Sequence, residues 1–176
     1  MGPLRKRREG RADDAVPASV YRMRERLLSI GDDFWIENGA GQRTFKVDGK
    51  ALRIRNTLIF EDAHGRELVR IQERKLRVRD TMAIERGRDT VATVKKALIT
   101  PLRERFKLEM AGGGEYEIKG NLVDHEYTFQ RDGREVVRVS KRWFRVRDTY
   151  GVEISPGEDE VLMLAASVAI DQMARA

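Results

Sequence analysis

From Tyr21 to Ile154 apolar and polar side chains come in short alternating runs, and Gly, Asn, Asp or Pro interrupts them every few residues. A period of two bounded by turn residues marks strands that bury one face. Tyr21 to Ile30 fits either a helix or a long strand. Phe34-Trp35-Ile36, Arg43 to Val47 and Ala51 to Phe60 read as strands, with Asn38-Gly39-Ala40-Gly41 and Asp48-Gly49 as hairpin turns. Glu67 to Gln72, Leu76 to Glu85 and Thr90 to Ala97 follow, joined by compact turns at Asp62-Ala63-His64-Gly65 and Gly87-Arg88-Asp89. Pro101 interrupts before Leu102 to Met110, and Gly112-Gly113-Gly114 turns the chain into Tyr116 to Lys119. Further strands are predicted at Leu122 to Gln130, Glu135 to Ser140 and Phe144 to Ile154, for a total of about twelve.

The pattern changes at Ser155. Ser155-Pro156-Gly157-Glu158 predicts a helix start, with Ser as N-cap, Pro at the first helical position and Glu at the third. The helix is expected to run to Ala174. Between Val161 and Ile170 its only polar side chain is Ser167, so it has no face suited to water and must be surrounded. At 1.5 Å per residue the apolar run spans roughly 15 Å, about half the thickness a membrane-spanning helix has to cross. It is a core helix.

The strand region repeats itself. Arg66-Glu67-Leu68-Val69-Arg70-Ile71, followed by Arg77-Val78-Arg79-Asp80-Thr81, recurs as Arg134-Glu135-Val136-Val137-Arg138-Val139, followed by Arg145-Val146-Arg147-Asp148-Thr149. With small gaps the match extends back to Val47-Asp48-Gly49 against Ile118-Lys119-Gly120, and to Phe34 to Glu37 against Phe106 to Glu109. Two halves of six strands follow. A lone apolar helix with no helical partner can be shielded on all sides only if those halves close around it. The expected fold is therefore all-β with one central helix: a closed barrel of about twelve strands enclosing the hydrophobic C-terminal helix. Closure also removes the sheet edges that invite aggregation.

Charge adds a tail to this picture. Residues 1–11 carry five basic side chains and one acidic one, so they hold +4 of the formal charge of +6. Residues 1–18 lack apolar periodicity and are expected to be a disordered basic tail, ahead of a single domain over residues 19–176. Such a tail attracts nucleic acid or anionic lipid, or simply solubilises the chain. The 176 residues contain no Cys, which removes disulfides, thiolate metal sites and thiol nucleophiles and fits a reducing compartment. No secretory signal, lipid anchor or transmembrane stretch is read in the sequence. The expected location is cytoplasmic or peripheral at the inner membrane face.

Catalytic chemistry finds little support. His64 falls in a hairpin turn and His125 sits between Asp124 and Glu126, and both are expected at the surface. Neither has metal-ligand spacing, and no nucleophile elbow, phosphate loop or dinucleotide fingerprint is present. Glu158-Asp159-Glu160 suits the positive end of the helix dipole. No catalytic residue, metal or cofactor is expected. The basic strands are the better candidate. In Leu76-Arg77-Val78-Arg79 and Phe144-Arg145-Val146-Arg147 the arginines alternate with apolar side chains, which predicts Arg77, Arg79, Arg145 and Arg147 on the outer face of the barrel. There they could grip phosphate bidentately or join a lattice of cross-strand ion pairs. Lys95 and Lys96, with Arg103 and Arg105, form a second candidate patch, and Trp143 beside Arg142 is either an interfacial anchor or a packed side chain.

The run Ser29-Ile30-Gly31-Asp32-Asp33-Phe34-Trp35-Ile36, the strand Phe45 to Lys50, the repeated Arg-Val-Arg-Asp-Thr segments and the helix ending Ala169-Ile170-Asp171 together resemble the LURP-one-related family of the tubby C-terminal-like superfamily, over roughly Val20 to Met173. The resemblance implies the same architecture, a twelve-strand barrel threaded by a C-terminal helix. Tubby proteins bind phosphoinositide head groups through basic side chains and phospholipid scramblases are similar in fold, whereas LURP-one-related members are mostly without an assigned activity. No motif lets the tubby ligands be placed on residues of this chain. The expectation is a non-catalytic binding or scaffold domain that recognises anionic phospholipid or phosphoinositide head groups; the competing reading is a protein- or nucleic-acid-interaction module, with protein ahead of nucleic acid.

Overall fold

The alternating positions sort onto the two faces of one closed sheet. The structure, a computed structural model, describes residues 16–24, 33–49, 57–76, 79–100, 103–144 and 148–174. Its strands are β1 (Ser19–Arg24), β2 (Phe34–Asn38), β3 (Arg43–Asp48), β4 (Thr57–Asp62), β5 (Glu67–Leu76), β6 (Arg79–Arg86), β7 (Asp89–Thr100), β8 (Arg103–Met110), β9 (Glu115–Asn121), β10 (Glu126–Arg131), β11 (Arg134–Ser140) and β12 (Thr149–Ile154). A 3-10 turn spans Lys141–Trp143, and α1 spans Glu160–Ala174. Every strand pairs antiparallel with its neighbours in sequence, and β1 closes the ring against β12 from Ser19↔Ile154 to Arg24↔Thr149. Inward positions such as Ile36, Val47, Phe60, Ile71, Ile84, Val94, Leu108, Phe129 and Val152 are buried and form one cluster with the side chains of α1.

The segments matched in the repeat fall on strands six apart: β2 with β8, β3 with β9, β5 with β11, and β6 with β12. Several expected boundaries move. Asp48-Gly49 is not a two-residue turn, because Asp48 pairs with Ile59 within the β3–β4 ladder; residues 50–56 lie outside those described, as do residues 25–30. Leu122 to His125 forms a turn rather than the start of a strand, with the His125 N–H donating to the Leu122 carbonyl at 3.2 Å. The last strand begins at Thr149, not Phe144, after the 3-10 turn.

Because the strands run up and down, their connections alternate between two ends of the barrel. One end holds the tight turns β2–β3, β4–β5, β6–β7, β8–β9 and β10–β11, and there α1 enters. Four of these hairpins carry a register shift beside the turn, between Ile36 and Glu37, Phe60 and Glu61, Ile84 and Glu85, and Phe129 and Gln130. Bulges bend and twist a strand locally, which is what closure requires. The opposite end, the far rim, holds the remaining connections.

The helix begins four residues later than the Ser-Pro signal predicts. Asp159, not Ser155, is the N-cap: its Oδ1 accepts from the Leu162 N–H at 3.0 Å and its carbonyl from the Met163 N–H at 2.9 Å. Ser155-Pro156-Gly157 instead turns the chain inward, and Gly157 takes a left-handed φ of 88° that suits Gly. Three successive acids then bind three sectors of the barrel. Glu158 accepts from the Tyr116 hydroxyl at 2.8 Å and Arg131 at 2.6 Å; Asp159 pairs with Arg86 at 2.9 Å; Glu160 accepts from Tyr21 at 2.6 Å and from Ser19. Beyond them, Leu162 to Asp171 is buried on every side, and the Ser167 hydroxyl is satisfied by the Met163 carbonyl at 2.9 Å.

Two outcomes follow. Leu164→Asp places an unpaired carboxylate at the barrel centre, at a cost of several kcal/mol that rivals the whole stability of a domain. Circular dichroism should show no cooperative melt; a variant melting within a few degrees of the parent contradicts an enclosed helix. Burial first, then hydrogen bonding to Glu158, pushes the Tyr116 phenol up from 10.0 to about 12. A raised phenol favours folding below its unfolded pKa and loses that contribution as pH rises through the folded value. Urea midpoints should therefore fall as pH rises from 10 toward 12, and Tyr116→Phe should flatten that fall. An unchanged pH dependence contradicts the Tyr116–Glu158 bond.

Candidate functional site

The barrel interior is taken up by its own side chains. Near the far rim, α1 brings Asp171 against two residues of the wall: the Tyr150 hydroxyl donates to its Oδ2 at 2.6 Å, and His125 Nδ1 lies 3.1 Å from its Oδ1. The His125 and Tyr150 rings stack at 4.3 Å and 11°. His125 is thus buried rather than at the surface, because the left-handed backbone at this position, φ 50°, turns its side chain inward from the end of the β9–β10 turn. Gly120 permits the approach: a Cβ there would stand 2.4 Å from the Glu126 carbonyl. Burial, and then the Asp171 charge, hold the enclosed Tyr127 phenol well above its ordinary range. These groups resemble an acid-base constellation in composition only. All are buried, so they tie the helix to the wall and are closed to a substrate. His64 does lie in an exposed turn, its N–H donating to Asp62 Oδ1 at 2.9 Å. Among the described residues no group of His, Asp and Glu could hold a metal ion, and no helix is long and apolar enough to cross a membrane.

The outer wall is a lattice of cross-strand and local ion pairs. Arg22 meets Glu37 at 3.3 Å, Lys46 meets Asp33 at 2.9 Å, Arg74 meets Glu85 at 3.0 Å, Lys107 meets Glu115 at 2.7 Å and Arg138 meets Glu135 at 2.7 Å. Hydrogen bonding to Glu115 raises Lys107, and the Lys119 ammonium lowers Glu117. Exposed pairs of this kind contribute up to about 1 kcal/mol each. Lys95 belongs to the lattice, 2.5 Å from Glu109, and Lys96 stands opposite Phe106 on β8. Arg79 opens β6 opposite Leu76. Arg77, between β5 and β6, and Arg145 and Arg147, before β12, lie outside the described residues. Arg103 opens β8 opposite Thr100, and Arg105 is exposed on the same strand.

At the far rim the lattice continues, with Arg142 Nε 3.8 Å from Glu126 Oε1, and is joined by exposed apolar side chains. Among the described residues three large hydrophobic side chains are exposed, and two of them, Val123 at 70% and Trp143 at 37%, sit here. Their two connections are neighbours, since the Glu126 carboxylate that follows the first accepts from Ser140 Oγ at 2.9 Å and from the Lys141 N–H at 3.1 Å. Trp143 is both a packed and an exposed residue. It lies over Gly151, where a Cβ would meet its ring at 2.4 Å, and Phe144 beside it is covered by the Arg22 guanidinium at 4.9 Å. The Arg142 side chain next to it is 86% exposed. Sequence reading singled out Trp143 and Arg142 but missed Val123, whose neighbours Leu122 and Tyr127 made the turn look like strand.

Comparison with known proteins places this architecture. A family model described as LURP-one-related matches residues 19–171. An uncharacterized protein of Bacillus subtilis, YxjI, is 30% identical over 152 residues, which is 86% of this chain and 91% of that protein. An Arabidopsis thaliana protein solved by X-ray crystallography aligns with a TM-score of 0.69 over 92% of this chain and 94% of its own, at 16% identity, a likeness of fold alone.

If Asp171 ties helix to wall, Asp171→Ala strips the buried Tyr150 hydroxyl and the His125 ring of their carboxylate. The loss should be about 1–3 kcal/mol in urea unfolding. His125→Ala should lose less in the Asp171→Ala background than in the parent, since partners in one network are not additive. Additive losses would contradict the tie.

Proposed function

The chain belongs to the LURP-one-related family, and on that footing we propose that it is a non-catalytic binding module whose far rim docks on an anionic phospholipid surface. The observation that carries this reading is the company kept there: exposed Trp143 and Val123 beside exposed Arg142, on neighbouring connections at one end of the barrel. Indole rings favour the boundary between water and acyl chains, and guanidinium groups take phosphate oxygens in pairs. Arg79 on β6 and Lys96 on β7 stand toward the same end, while Lys95 is paired with Glu109. The filled interior directs attention to the surface, and the entry end is committed to holding α1. The basic tail supplies attraction at longer range but no shape.

Sedimentation with liposomes tests the reading. The chain from Val16 onward should sediment with vesicles containing phosphatidylserine or a phosphoinositide and not with phosphatidylcholine alone. Arg142→Gln should weaken binding about fivefold, the worth of roughly 1 kcal/mol per basic residue near such a surface. Trp143→Ala should weaken it further, and the pairs Arg77→Gln with Arg79→Gln or Arg145→Gln with Arg147→Gln should reduce any preference for phosphoinositide over phosphatidylserine. A domain that sediments with no anionic vesicle at low salt contradicts lipid docking and leaves a protein partner for this rim.

A further inference from the structure

Two of the entry-end turns are built on one plan. Asn38-Gly39-Ala40-Gly41-Gln42 links β2 to β3, and Asp62-Ala63-His64-Gly65-Arg66 links β4 to β5. In each, the first N–H donates to the fifth carbonyl, Asn38 to Gln42 at 2.9 Å and Asp62 to Arg66 at 3.0 Å, and the fourth N–H donates back to the first carbonyl, at 2.9 and 3.1 Å. The fourth residue is Gly at a left-handed φ, 79° and 80°. The first side chain completes the turn. Asn38 Oδ1 accepts from the Ala40 and Gln42 N–H groups at 3.0 Å each, and Asp62 Oδ1 from those of His64 and Arg66 at 2.9 and 3.0 Å. At equivalent places one turn holds an amide and the other the acid that such an amide becomes on hydrolysis. The Arg66 N–H above all, with that of His64, holds the Asp62 carboxyl below its ordinary range, so this frame favours a carboxylate.

Asn38 is followed by Gly39. A backbone nitrogen attacks the preceding side-chain amide most readily when its own residue has no Cβ to obstruct the five-membered ring. Gly39 is exposed, and the hydrogen bonds of the turn are made by the N–H groups of Asn38, Ala40, Gly41 and Gln42, which leaves that of Gly39 outside them. The carbonyl under attack is already held. Two backbone N–H groups at 3.0 Å stand where negative charge would develop on Oδ1, the arrangement of an oxyanion hole. The chain's other two Asn residues, Asn56 and Asn121, precede Thr57 and Leu122, whose side chains crowd the same attack.

We propose that Asn38 is a site of self-modification in the folded protein, its amide converted to the acid through a succinimide. The Gly39 nitrogen, on losing its proton to water, bonds to Asn38 Cγ; the Cγ–Nδ2 bond breaks and ammonia leaves with a proton taken from water; water then opens the ring. Cleavage of the new Cγ–N bond gives aspartate, which the frame accepts as it accepts Asp62. Cleavage at the main-chain carbonyl carbon gives isoaspartate, which adds a methylene to the main chain at one of the two β2 residues in the described pairing with β1. The β1 partner there is Tyr21, whose hydroxyl holds Glu160 of α1 at 2.6 Å. Native full-length protein kept in warm, mildly alkaline buffer and mapped by peptide mass spectrometry should carry the amide-to-acid exchange at Asn38 and not at Asn56 or Asn121, at a rate no lower than that of the chain unfolded in guanidinium chloride. Gly39→Ala should slow the exchange several-fold with the melting temperature kept, since its Cβ would meet the Val20 carbonyl oxygen at an ordinary 3.7 Å. Asn38→Asp should melt with the parent, and a rise in isoaspartate, read with an isoaspartyl methyltransferase, should accompany a second, lower melting transition. Conversion of Asn38 that is slower in the folded chain than in the unfolded one shows that the turn protects the amide and overturns the proposal. A lowered melting temperature for Asn38→Asp overturns the fit of the product.

Discussion

A twelve-strand barrel is wider than its own inward side chains can fill, since about eight strands already give an interior that side chains just occupy. The space has to be filled by something apolar on every side. Here the chain fills it with its own last segment, and the rest of the structure follows from that requirement. Strand alternation supplies the wall, bulges beside the entry-end turns bend it round, and α1 completes the core. An apolar cylinder in an apolar tube has little to set its rotation or depth. Polar ties at the two ends provide it: Glu158, Asp159 and Glu160 reach three sectors of the wall at the entrance, and Asp171 meets Tyr150 and His125 at the other end. Burying such groups is costly, and what they gain is a single seating for the helix.

This arrangement divides the molecule by task. The interior is packed, and the polar cluster within it is sealed. Along the described outer wall, charges pair across strands and within short spans of one strand. The entry end is occupied in holding α1. What remains is the far rim, where aromatic and aliphatic side chains are exposed next to Arg142.

The architecture was legible because it is written in long-range regularities. The repeat of Arg66 to Thr81 in Arg134 to Thr149 and the all-round apolarity of Val161 to Ile170 are many-residue signals, and together they required closure around a helix. Local signals did less well. Ser155-Pro156 satisfied the rules for a helix start, yet the chain needs that stretch to turn into the barrel, and Asp159 takes the cap where Arg86 can pair with it. Asp48-Gly49 had the composition of a tight turn but stays in a ladder whose partner strand fixes its place. His125, flanked by two acids, had every mark of a surface residue; a left-handed backbone and the buried Asp171, distant in sequence, draw it inside. Of the site, the cations and a lattice of cross-strand pairs were both legible, and the particular partner was not: that of Lys95 is Glu109 on the next strand.

The central claim is that α1 is enclosed and seated by ties at both ends, which native-state hydrogen exchange measures directly. Amides from Leu164 to Ile170 should exchange only through global unfolding, with the same free energy and urea dependence as the most protected strand amides. Helix amides that exchange through a smaller opening while the strands stay protected would show a helix that leaves the barrel on its own, and would contradict the account.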